Sequence, residues 1–147
     1  GYKFVEGWWK DMGTPEDILE SNRLVLDGIE HEVCGKVEDE SSLQGRVHIG
    51  ENSLIKRGAI VRGPTTIGQN TTVEAHVYIG PYTSIGNNVV VKKGEIENSI
   101  IMDHCHIGIE GKITDSLIGP HSTILTNQTD KPKGYRLVIG ERSKITI

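Results

Sequence analysis

The sequence predicts a parallel β-helix of six-residue repeats, preceded by one α-helix. Three observations predict it. Aliphatic residues recur at every sixth position. Small or β-branched residues recur four places after each, and turn-forming residues recur three places after each.

The aliphatic series is Ile49, Ile55, Val61, Ile67, Val73, Ile79, Ile85 and Val91. Ile, Leu and Val make up 39 of the 147 residues, so eight in one fixed register have a chance probability on the order of 10⁻⁵ before the choice of register is allowed for. The second series is Ser53, Ala59, Thr65, Thr71, Val77, Thr83 and Val89, all able to pack beside an aliphatic at a corner. The third is Asn52, Gly58, Pro64, Asn70, His76, Tyr82, Asn88 and Gly94. Asn and Gly tolerate left-handed backbone, and Pro pre-sets a turn. Each hexad therefore reads as one short strand and one corner. Three hexads make a triangular coil of roughly 18 residues, with coils stacked as parallel strands about 4.8 Å apart. High glycine (18 residues) and scarce aromatics (5%) suit such a thin coil.

The register breaks near Glu95. It resumes, shifted, at Ile101, Ile107 and Ile113, and again at Ile118 and Ile124. Residues 126–136 (TNQTDKPKGYR) read as a loop. LVIGERSKITI returns to a strand-like pattern and is expected to cap the open end, since a terminal repeat must shield a sheet edge.

Ahead of the repeats, Thr14-Pro15-Glu16-Asp17 reads as a helix start. Thr14 is the N-cap, Pro15 the first helical residue, and Asp17 completes a capping-box-like spacing. Ile18, Leu19, Val25 and Leu26 form an apolar stripe, and Gly28 ends the helix. The coils bury their own apolar residues, so this helix is expected to find little to pack against. Residues 1–28 are then the tail of a larger domain, 29–40 a charged connector, and 41–147 the β-helix.

The charge of −4 and pI of about 5.9 argue against a nucleic-acid binder, which shows a basic face. No apolar run reaches the roughly 18 residues of a membrane span, and no signal peptide is evident. Cys34 and Cys105 do not make a disulfide framework. A cytoplasmic protein is expected.

The segment Trp9-Lys10-Asp11-Met12-Gly13-Thr14-Pro15, with its helix running through Glu20-Ser21-Asn22, resembles the end of the catalytic domain of sugar-1-phosphate nucleotidyltransferases. The repeats that follow, and the closing LVIGERSKITI, are similar to the long-form glucose-1-phosphate thymidylyltransferases among them. The hexads resemble left-handed β-helices, so the resemblance implies a left-handed coil. It also implies a reaction in which a phosphate oxygen of glucose 1-phosphate attacks the α-phosphorus of a nucleoside triphosphate and pyrophosphate leaves. Mg²⁺ spreads the developing charge in such reactions. By resemblance Asp11 is one of two Mg²⁺-binding aspartates, and Trp9 and Gly13 belong to the substrate site, Trp9 lining the sugar pocket. Met12 departs from the usual Thr or Ile. From the residues alone, an Asp before Gly-Thr-Pro is a turn former, and Trp8 and Trp9 are ordinary core or interface residues. No Gly-x-Gly phosphate loop occurs, so the isolated 147-residue chain is expected to be catalytically inert.

Rival readings attach to the coils. A uridylyl- or guanylyltransferase acting on another sugar 1-phosphate fits the same motif. A hexapeptide acetyltransferase using acetyl-CoA needs a histidine base; His76 and His104 occupy corners and are expected to point into solvent, with no inserted loop beside either. A zinc site that resembles the carbonic-anhydrase kind on this fold needs three histidines converging across a subunit interface; His104 and His106 could share one side of a strand, but the spacing to His76 and His121 does not match that family. Cys105 is expected to be inert core. A structural role remains: the β-helix forms a homo-oligomer or binds a regulator, with Ile60, Tyr78 and Val90 facing out as a contact surface.

Overall fold

The computed structural model of the chain describes residues 13–127, 137–138, 140–142, 144 and 146. It opens with one helix, α1 (Pro15–Asp27). Among the described residues fifteen strands follow: β1 (Glu32–Val33), β2 (Lys36–Val37), β3 (Leu43–Gln44), β4 (Val47–Ile49), β5 (Leu54–Ile55), β6 (Ile60–Arg62), β7 (Thr65–Ile67), β8 (Thr72–Val73), β9 (Tyr78–Ile79), β10 (Thr83–Ile85), β11 (Val90–Glu97), β12 (Ile100–Ile101), β13 (His106–Thr114), β14 (Leu117–Ile118) and β15 (Thr123–Leu125). A 3-10 turn, Glu40–Ser42, precedes β3.

Every pairing given for these strands is parallel, and neighbours in a sheet come from successive coils. One face of the solenoid has the order β1-β4-β7-β10-β12-β14. The other two faces are β2-β5-β8 and β3-β6-β9, which the long β11 joins: Val90 pairs with Thr72 of β8, and Glu95 with Tyr78 of β9. β13 repeats this bridging one coil later, and β15 pairs with it. No helix among the described residues is long and apolar enough to cross a membrane.

The hexad reading holds residue by residue. All eight aliphatics from Ile49 to Val91 are at most 2% exposed, and Ser53, Ala59, Thr65, Thr71, Val77, Thr83 and Val89 are as deeply buried. At the third position Asn52, Gly58, Asn70, His76, Tyr82, Asn88 and Gly94 all have positive φ, and Pro64 follows a cis peptide bond instead. The coil length is 18 residues where the pattern is regular, as from Val47 to Thr65 to Thr83 along one face.

The break near Glu95 has a simple origin. Ile96, outside the predicted series, is fully buried beside Val91 and Ile101. The inward positions thus step by five residues, from 91 to 96 to 101, and the coil from Ser84 to Ile100 is 16 residues. Asn98, with φ 45, takes the corner. Another five-residue step separates Ile113 from Ile118, and Asp115 takes that corner at φ 53.

Two expectations about the N-terminal region need correction. First, the stretch 29–40 is more than a connector: it holds β1 and β2, which pair with β4 and β5 as the first coil. Second, α1 does find a packing surface. Ile18, Leu19 and Leu26 are buried, whereas Val25, predicted in the same stripe, is 67% exposed and Leu24 69%. Val25 sits on the outer flank because the docked side follows residues 18, 19, 22, 23 and 26, spaced by three and four. Gly28 ends the helix as expected, although at φ −102 its left-handed freedom is unused; its N–H bonds to Val25 O at 3.1 Å.

Candidate functional site

The motif that carries the chemical expectation enters the structure at its last three residues. Trp9 and Asp11 lie outside the described residues. Gly13 has φ +102, a conformation in which an L side chain is strained, although a Cβ there would meet only Asp17, at 3.7 Å. Backbone conformation, not space, calls for glycine. Thr14 is the N-cap as predicted: its Oγ1 accepts from the Asp17 N–H at 3.1 Å. Pro15 follows as the first helical residue, and Glu16 and Asp17 place negative charge at the positive end of the helix. A short, stiffly held turn therefore leads into α1.

The docked side of α1 is fastened to the solenoid by polar contacts that sequence reasoning did not find. Asn22 uses both ends of its amide: Nδ2 donates to Tyr82 O at 3.2 Å, and Oδ1 accepts from Ser84 Oγ at 2.6 Å. Arg23 donates to Asn98 Oδ1 at 2.9 Å, and Asn98 Nδ2 donates in turn to Asp115 Oδ1 at 2.5 Å. The Tyr82 hydroxyl donates to Asp27 Oδ1 at 2.8 Å. This bond, then the charge of Asp27, pushes the Tyr82 phenol above its usual range. Arg46 closes the helix end, donating to the carbonyls of Asp27 and Ile29, each at 2.8 Å. One sequence signal existed: Tyr82 and His76 are bulky rings in a corner series otherwise made of Asn, Gly and Pro.

The histidines behave as corner residues. His76, His104 and His121 are exposed and have φ between 61 and 69. His104 stacks on His121 of the next coil, ring centroids 4.7 Å apart and 4° from parallel. His106 stands apart on β13. Among the described residues no group of three or more His, Cys, Asp or Glu could hold a metal ion. An open groove of about 500 Å³, lined by Lys92, Lys93, Gly108, Leu125, Thr126 and Asn127, contains no histidine.

Cys105 is core as expected. Burial pushes its thiol up, and Sγ donates to Gly119 O at 3.2 Å. Of the predicted outward residues, Ile60 is 39% exposed. Tyr78 and Val90 are half-buried, and the Arg62 guanidinium sits 5.9 Å from the Tyr78 ring centroid.

The chain is similar to known proteins over nearly its whole length. It is 42% identical over 143 residues to the low-salt glycan biosynthesis nucleotidyltransferase Agl11 of Haloferax volcanii, which covers 97% of this chain and 40% of that protein. It is 40% identical over 143 residues to a glucose-1-phosphate thymidylyltransferase of Streptomyces griseus (97% and 39%). A glucose-1-phosphate thymidylyltransferase of Streptomyces antibioticus is 36% identical over the same length (97% and 39%). The chain thus spans about two-fifths of the length of these relatives. Residues 61–146 match the family described as the GMPPB C-terminal domain. That match covers more than half of the chain, which belongs to this family.

Proposed function

We propose that the protein of which this chain forms part is a sugar-1-phosphate nucleotidyltransferase, and that it makes dTDP-glucose and pyrophosphate from glucose 1-phosphate and dTTP. The observation that carries this reading is the Trp9-x-Asp11-x-Gly13-Thr14-Pro15 motif running into a capped helix that is fastened to a β-helix. The names of the relatives support the same chemistry. In this reading Asp11 is a ligand of Mg²⁺, which when bound offsets charge on the reacting phosphates; a carboxylate suits so hard a cation. Trp9 and Gly13 border the sugar phosphate. The turn that Thr14 caps orients this strip of the site. The coils serve oligomerisation or regulation, and the 147-residue chain alone is inert.

The test is pyrophosphate release by the full-length protein with glucose 1-phosphate and Mg²⁺, given dTTP, UTP or GTP in turn. Release with dTTP, lost in Asp11→Asn, is the expected result. Release with UTP or GTP only makes it a uridylyl- or guanylyltransferase. No release with any nucleotide overturns the reading, and acetyl-CoA turnover is then the next assay.

A further inference from the structure

The polar contacts of α1 are more specific than helix packing requires. Apolar burial alone lets a helix slide or roll on a surface, because the hydrophobic effect is non-directional. Hydrogen bonds have narrow geometry. Asn22 fixes both freedoms at once, since its two amide atoms meet different residues, Tyr82 O and Ser84 Oγ, on one coil. Arg23 and Arg46 extend the contact to other coils, through Asn98 and through the carbonyls of Asp27 and Ile29.

These contacts also span several coils. The C-terminal end of α1 meets Arg46, on an early coil, while Arg23 meets Asn98, on a later one. Asp27 also accepts from the Tyr82 hydroxyl, on the coil that holds Asn22. From Arg23 back to Thr14 the helix rises about 13 Å, so Gly13 and Thr14 are carried at the far end of a rod held at residues 22, 23 and 27.

We propose that Asn22, held by Ser84 and Tyr82, is a positioning residue for the substrate site: the β-helix sets the place of the Gly13-Thr14 turn through the register of α1. This rests on the nucleotidyltransferase reading. It gives the coils a part in the reaction beyond spacing or assembly. Small misplacements of binding groups by remote changes cost large factors in rate.

The experiment uses the full-length protein. Asn22→Ala, Ser84→Ala, the double variant and Arg57→Ala are compared with the wild type. Arg57 bonds to Glu38 and Asp39, neither of them on α1, and serves as the control. Expected is a rise of about tenfold in KM for the sugar 1-phosphate in Asn22→Ala. Ser84→Ala should give a smaller rise, the double variant one no larger than Asn22→Ala, and Arg57→Ala none. Hydrogen exchange at the Gly13 and Thr14 amides should quicken in Asn22→Ala, while the Ile67 and Val73 amides keep wild-type protection. If Asn22→Ala does not fold, Ser84→Ala carries the test with the loss of one hydroxyl. Unchanged KM and exchange in a folded variant of an active wild type overturn the positioning role alone. An inactive wild type overturns the nucleotidyltransferase reading and this proposal with it.

Discussion

Thr71 and Gly86, fifteen residues apart, are joined across a corner of the solenoid by a 2.8 Å hydrogen bond from the threonine hydroxyl to the glycine carbonyl. The same hydroxyl accepts from the Val89 N–H at 3.2 Å. Ser53 does the same one coil earlier, donating to Gly68 O at 2.6 Å and accepting from Thr71 N at 2.9 Å. The inward hydroxyls of Ser53 and Thr71 are thus a hydrogen-bonded column, supplying partners for backbone groups that the strand ladders leave over. Thr83 breaks the rule. Its Oγ1 is buried with no partner among the described residues. The coil above it is 16 residues where regular coils have 18, so the carbonyl expected fifteen residues on does not sit in place.

This contrast makes the first prediction. Val has nearly the shape of Thr without the hydroxyl. Thr71→Val should cost about 1–3 kcal/mol, because it takes the partner from the buried Val89 N–H and from the part-buried Gly86 carbonyl. Thr83→Val should be neutral within about 0.5 kcal/mol or stabilising, because it removes a polar atom that makes no bond. Denaturant unfolding of the two variants decides it. Equal losses would show that the hydroxyl column contributes nothing beyond its volume.

The second prediction concerns Ile96, which strict counting by sixes passes over. Ile96 is buried as completely as Ile67 or Ile79. Ile96→Ala should therefore cost about 2–5 kcal/mol, as Ile67→Ala should. Glu95→Ala, on an exposed neighbour, should change stability by less than about 0.5 kcal/mol. If Ile96→Ala were as mild as Glu95→Ala, the five-residue step in the core would be wrong.

The same residue shows where the sequence was legible. The coil is a local pattern: six residues carry an inward aliphatic, a left-handed corner and a small inward neighbour, so period and corner positions can be read directly. A lost residue shifts the register, and Ile96 escapes any reading that keeps the period fixed. The docking of α1 was illegible for a different reason. Its bonds join residues 60, 62 and 75 positions apart. Nothing local in Asn22, Arg23 or Ser84 marks a partner at that distance. Thr14 and Pro15 were readable because a helix cap is satisfied within three residues.

The last prediction concerns pH and the hold of the solenoid on α1. The Tyr82 hydroxyl donates to Asp27 Oδ1 at 2.8 Å. That bond, followed by the negative charge of Asp27, raises the Tyr82 pKa in the folded state. A phenol raised above its unfolded value of about 10 stabilises the fold fully below that value. The contribution is lost as pH rises through the higher folded value, where the phenol loses its proton and the resulting phenolate faces the carboxylate. The wild type should therefore lose stability through this range, and the hydrogen-exchange protection of α1 amides should fall with it. Tyr82→Phe removes the group, so its stability between roughly pH 9 and 11 should fall less steeply than that of the wild type. Other tyrosines titrate in both proteins, and the difference between the two curves isolates Tyr82. Superimposable slopes would mean that the Tyr82–Asp27 bond does not hold the helix in solution.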